Sequence, residues 1–258
     1  MRQSDTASLV SALTEATPVV RLLALTQLAF NIGFFMVVPY LAVHLSQDLG
    51  LSAAVVGAVL GLRTFAQQGM FFIGGLLADR WGVRPTVLAG CALRIGGFVG
   101  LAGAESLEMV LVAAAFTGFA AALFSPAVES AVAVEAGESE RAGGQTRIAA
   151  FALFNVCGQI GSFTGPLLGS ALLLVDFRAA CLTAAAVFGF ILAAHYRWLP
   201  SATAAPEPLT AGIRDVLADR RFLAFACLAG TQLIAYNQLY LLLPLEVERV
   251  WRSQSPVA

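Results

Sequence analysis

The run Gly75-Leu76-Leu77-Ala78-Asp79-Arg80-Trp81-Gly82-Val83-Arg84 decides how the rest of the chain is read. An apolar stretch stops at Ala78, and an anion and two cations follow around a glycine. Upstream, residues 54–77 carry one charge, Arg63; downstream, residues 86–103 carry one, Arg94. About 20 apolar residues suffice for a helix to cross a bilayer. The ten residues are therefore the turn between two membrane spans, with Gly82 allowing a tight reversal.

Working outward, five more stretches have the same character: 22–43, 107–127, 148–174, 179–198 and 222–245. They are too long for outer-membrane strands and lack the alternation such strands need. The expected fold is an all-α membrane protein, with a six-helix N-terminal bundle and a seventh transmembrane helix. Composition agrees. Of the 258 residues 59% are hydrophobic and 12% charged, against roughly 45–50% and 25% in soluble domains. With a net charge of -1, no basic field draws a polyanion, so nucleic-acid binding is excluded. Cys91, Cys157, Cys181 and Cys227 all lie in apolar stretches, without the spacing of a metal site or the loop setting of a disulfide framework. His44 and His195 stand alone at helix ends. No nucleophile or phosphate-cradling motif is present, so no enzyme, cofactor or metal is expected.

Orientation follows from arginine, the sole basic residue type besides histidine. Ten arginines fall on one side (Arg2, Arg21, Arg80, Arg84, Arg141, Arg147, Arg197, Arg214, Arg220, Arg221) and three on the other (Arg178, Arg249, Arg252). Positive loops stay inside. The N-terminus, the Asp79 loop and the stretch 199–221 are expected in the cytoplasm, and the chain in the inner (plasma) membrane. Pro200, Pro206 and Pro208 mark 199–221 as a linker between a domain at 1–198 and the first helix of a second domain at 222–258.

An internal echo supports that division. Thr26-Gln27-Leu28 precedes Asn31 and Pro39, and Thr231-Gln232-Leu233 precedes Asn237 and Pro244; Thr and Pro are 13 residues apart in both, at an offset of 205. A parallel repeat of six helices explains it, with the rest of the second unit expected in the same or another chain.

Gly75 through Arg84 resembles the G-x-L-a-D-R-x-G-r-R signature of the major facilitator superfamily, with Val83 where a basic residue is common. Gly158, Gly161, Gly165, Pro166 and Gly169 on the fifth span resemble the helix-five motif of its drug:proton antiporters, except that Ser170 replaces a second terminal glycine. The antiporter arginine of helix four has no counterpart, since Ala114 stands four before Gly118. Over residues 22–245 the chain is most similar to MdtH-type multidrug transporters, through Gly61-Leu62-Arg63, Gln67-Gln68-Gly69, Gly74-Gly75 to Asp79-Arg80, Arg94 and Asp176-Phe177-Arg178. The resemblance implies proton-coupled efflux of drugs or small molecules by alternating access. Uptake of a metabolite, or a membrane module that does not transport alone, are the alternatives. It also implies a cytoplasmic gate at Gly75, Asp79, Arg80, Gly82, Arg84 and Glu129. There Glu129 joins the charges of Arg80 and Arg84, and Asp79 meets a helix N-terminus of the second domain.

Spacing supplies a candidate cavity. Gln27 with Asn31, Arg63 with Gln67, and Asn155 with Gln159 are i, i+4 pairs on one helix face each. They lie 6 to 14 residues into their spans, deep in a hydrocarbon core about 30 Å thick. Polar groups there face a wet cavity or bond neighbouring helices. The expectation is that they converge between helices one, two and five. Arg94 either joins them or snorkels back to the interface.

Overall fold

The computed structural model describes residues 7–201 and 218–232. The helices are α1 (Ala7–Glu15), α2 (Pro18–Val43), α3 (Ala53–Thr64), α4 (Phe71–Trp81), α5 (Val83–Ala102), α6 (Leu107–Arg141), α7 (Arg147–Leu173) and α8 (Phe177–Trp198). No strand occurs among the described residues. The fold is an all-α membrane protein. Among the described residues five helical stretches are long and apolar enough to span a bilayer: Pro18–Asp48, Val83–Ala102, Leu107–Arg141, Arg147–Leu173 and Phe177–Trp198.

The second expected span is composite. α3 and α4 are joined through a π-helical turn, Phe65–Gly69. Such turns insert an extra residue into a helix and often mark functional sites. A second π turn, His44–Asp48, extends α2.

Local sequence explains the starts. Thr17, Ser106, Thr146 and Asp176 each accept a backbone N–H of the first turn of α2, α6, α7 and α8, and Pro18 opens α2 where a missing N–H costs nothing. Between α4 and α5 a single residue turns the chain. Gly82 has φ 90°, a conformation closed to most L-residues. α6 corrects the expected boundary at residue 127. It runs 35 residues to Arg141, through Pro126. Hydropathy falls after 127, but the Ala- and Glu-rich tail keeps strong helix propensity. At ~1.5 Å per residue the helix extends well past a 30 Å core.

The bundle core is built mainly from α2, α5, α6 and α8, around Leu23, Phe30, Phe98, Phe124 and Phe188. The chain divides into two compact units, Met1–Ala205 and Pro206–Ala258. In the second, residues 220–232 are helical, and the Asp219 carboxylate accepts the N–H of Arg221 and Phe222. The seventh expected span thus begins as a helix. Most of the linker 199–221, and Asn237 and Pro244 of the internal echo, lie outside the described residues.

Candidate functional site

The residues of the expected cavity are held in three ways. Asn31, on α2, donates from Nδ2 to the Gly158 carbonyl on α7 at 2.9 Å. Gln27 lies one turn away against the same glycine. Both amides are therefore in the seam between the first and fifth spans. Asn155 and Gln159 are on the exposed side of α7 and have no hydrogen-bond partner among the described residues. Among the described residues no hydrogen bond joins one of these pairs to another. The i, i+4 spacing puts each pair on one face but leaves open which neighbour that face meets.

The helix-five glycines belong to the seam. A Cβ on Gly161 would stand 2.4 Å from the Leu28 carbonyl oxygen, on Gly165 2.9 Å from that of Ile32, and on Gly169 2.3 Å from that of Met36. Only glycine lets the two backbones approach this closely. Across the same seam Tyr40 Oη donates to the Pro166 carbonyl at 2.7 Å.

The arginines form the third setting. Arg63 is 7% exposed and Arg94 1%. Arg63 Nη2 donates to Gln67 Oε1 at 2.6 Å, across the start of the π turn, while its Nε has no partner. Arg94 does not snorkel. Its Cζ stands 4.7, 5.3, 5.9 and 5.2 Å from the ring centroids of Phe30, Phe34, Phe98 and Phe188, and none of its three nitrogens has a hydrogen-bond partner. Arg63 Cζ stands 5.0 Å from the Phe34 centroid, so both guanidiniums approach one ring. A charge at the bilayer centre costs about 2.5–3.5 kcal/mol on insertion scales. Desolvated cation–π contacts return about 2 kcal/mol or more each. The rings can hold the charge, but they leave its N–H donors without acceptors. The sequence reading missed this aromatic box. The signal was present, since Phe30 and Phe34 are four apart, as are Arg94 and Phe98.

At the other end of the α4–α5 pair, Arg84 donates to the Tyr196 carbonyl and to Ser201 Oγ at 2.7 Å, and its Cζ lies 5.4 Å from the Tyr196 ring. It ties the signature turn to the end of α8. Asp79, Arg80 and Glu129 are exposed, and none has a hydrogen-bond or ion-pair partner among the described residues. Among the described residues Glu129 makes no ion pair with Arg80 or Arg84, and Arg84 is engaged by Tyr196 and Ser201. Gly75 has open space beyond its Cα hydrogen. His195 is fully buried and its Nδ1 is 2.9 Å from the Ile191 carbonyl. No group of three or more metal-ligating side chains exists among the described residues.

Comparison with known proteins agrees with this architecture. Residues 23–255 match the Major Facilitator Superfamily. The MFS-type transporter Rv0849 of Mycobacterium tuberculosis is 48% identical over 231 residues, covering 88% of this chain and 53% of that protein. The multidrug resistance protein MdtH of Citrobacter koseri is 35% identical over 230 residues, covering 88% and 55%. The chain thus spans about half the length of the curated relatives it matches. Among solved structures, a peptide transporter POT in complex with alafosfalin aligns at TM-score 0.64 and 18% identity, over 98% of this chain and 56% of that one. A POT family transporter in complex with 5-aminolevulinic acid aligns at 0.65 and 14%, over 86% and 46%. At such identities the likeness is one of fold. With the signature turn, the helical bundle and the match over most of its length in agreement, the chain belongs to the major facilitator superfamily.

Proposed function

We propose that residues 1–198 form the first bundle of a secondary transporter that exports small molecules by alternating access, coupled to protons. The observation that carries this reading is the pair of uncompensated arginines at mid-depth. Buried charge within a span is costly and is kept at substrate and ion pathways. Similarity to MdtH proteins favours export of drug-like molecules. The alternative, metabolite uptake, shares the same machinery and differs in direction.

Arg63, Gln67 and Arg94 line the pathway in this reading, and Asn155 and Gln159 extend it along the exposed face of α7, where amides suit a wet cleft better than lipid. Asp79, free of local partners, faces a helix N-terminus of a second bundle, where partial positive charge and unsatisfied N–H groups favour a carboxylate. Residues 199–221 link the bundles, and 222–258 begin the second, which is completed in the same or another chain. The N-terminus, the Asp79 turn and the linker are cytoplasmic in this reading, which the arginine asymmetry supports.

The test is proteoliposome transport of a radiolabelled panel of cationic, neutral and anionic small molecules under an imposed pH gradient. One preparation holds the 258-residue chain alone, and another adds the second half of the Mycobacterium tuberculosis relative. Saturable, gradient-driven transport is expected only with both halves, and Asp79→Asn should abolish it. Saturable transport by the chain alone, lost in Asp79→Ala, would overturn the need for a second bundle.

A further inference from the structure

The aromatic box and its two arginines are chemically one-sided. Among the described residues the buried charged side chains are Arg63 and Arg94, and no aspartate or glutamate is buried. The interior of the first bundle therefore holds two fixed cations and no anion. Among the described residues Gln67 is the one acceptor hydrogen-bonded to the pair, and it serves a single nitrogen of Arg63. Arg63 Nε and all of Arg94 keep unused N–H donors in a buried setting.

We infer that the Arg63–Arg94 pair is an anion-accepting subsite, and that it takes the carboxylate of a small aromatic acid. The inference rests on the transport reading above and names the substrate class. A guanidinium presents a planar fork that matches a carboxylate in charge and geometry. Arg63 is the more accessible of the two and makes the contact. Arg94 acts from behind Phe34 as a fixed charge, effective because a low-dielectric interior screens little. Phe34 and Phe35, packed edge to face with centroids 4.9 Å apart and only partly buried, offer apolar surface for the remainder of the ligand. Neither a cationic nor a neutral molecule gains from this field.

The same chemistry is carried by anionic lipid headgroups, so the test separates the two sources. The chain is placed in nanodiscs of phosphatidylcholine, and binding of 4-phenylbutyrate, 4-phenylbutanol and 4-phenylbutylamine is compared by equilibrium dialysis. The three probes share one skeleton and differ in headgroup charge. The carboxylate should bind saturably and at least tenfold tighter than either other probe. Arg63→Gln and Arg94→Gln should each reduce that ratio to below threefold, while Arg63→Lys should retain part of it. The ratio is the readout because a merely structural role would shift all three probes together. If Arg94→Gln does not fold, Arg63→Gln decides, since Arg63 is the less buried of the two. Equal binding of all three probes, a preference for the amine, or an unchanged ratio in folded variants would overturn the inference and leave the transport reading standing. A tenfold loss of carboxylate binding when phosphatidylglycerol is added would overturn it too, by assigning the subsite to lipid.

Discussion

The α2–α7 seam and the arginine box both place polar groups inside apolar spans, yet they are resolved in opposite ways. In the seam most of these residues have a counterpart. Asn31 meets the Gly158 carbonyl, Tyr40 meets the Pro166 carbonyl, and Gly161, Gly165 and Gly169 meet backbone oxygens. In the box the donors face rings, and most have no acceptor. Polar groups in a membrane helix thus fall into those that hold helices together and those left available. The spacing along one helix does not distinguish them.

The largest expected effect lies in the seam. Gly161→Val puts a branched side chain where a Cβ alone would be 2.4 Å from the Leu28 carbonyl oxygen. Overpacking of this kind costs about 3 kcal/mol. Thermal unfolding in detergent should show a large drop in midpoint or loss of monodisperse protein. A variant as stable as the parent would break the distinction, since the seam would then be loose.

The box should respond the other way. Replacing a buried, poorly compensated charge by an apolar side chain of similar volume is often neutral or stabilising. Arg94→Met is expected to leave stability unchanged or raise it by about 1 kcal/mol, in the same unfolding assay. A loss above 1 kcal/mol would mean that Arg94 and its four rings are a structural element like the seam.

The smallest effect sharpens the seam itself. Interhelical hydrogen bonds in membranes average about 0.6 kcal/mol. Asn31→Ala should lower stability by that amount, well below the glycine substitution, because backbone proximity rather than the amide sets the helix separation. A loss above 2 kcal/mol would place the seam's strength in its side chains.

The sequence carried the fold further than the site. Apolar runs of about 20 residues and the Asp79–Arg84 turn were enough to recognise the bundle, since the bilayer forces backbone bonds to be made within each helix. Helix ends were less legible. The tail of α6 after Pro126 is helical without being apolar, and the π turn at Phe65–Gly69 has no hydropathy signature. In the site, Arg63 with Gln67 was readable because its partner lies four residues away on the same helix. The surroundings of Arg94 come from three helices, α2, α5 and α8, and pattern along one helix cannot report them. The same reason explains why Asn31 was grouped with Arg63. It lies at the same depth, but its partner is a backbone carbonyl of α7.

A double-mutant cycle between Asn31→Ala and Arg63→Gln, read by both unfolding and 4-phenylbutyrate binding, tests the separation of the two regions most directly. Residues without shared partners add within about 0.5 kcal/mol. The account predicts that Asn31→Ala lowers stability alone, that Arg63→Gln lowers binding alone, and that the double variant shows both losses with no coupling beyond that margin. Coupling above about 1 kcal/mol in either readout would contradict it, and would return both residues to a single shared cavity.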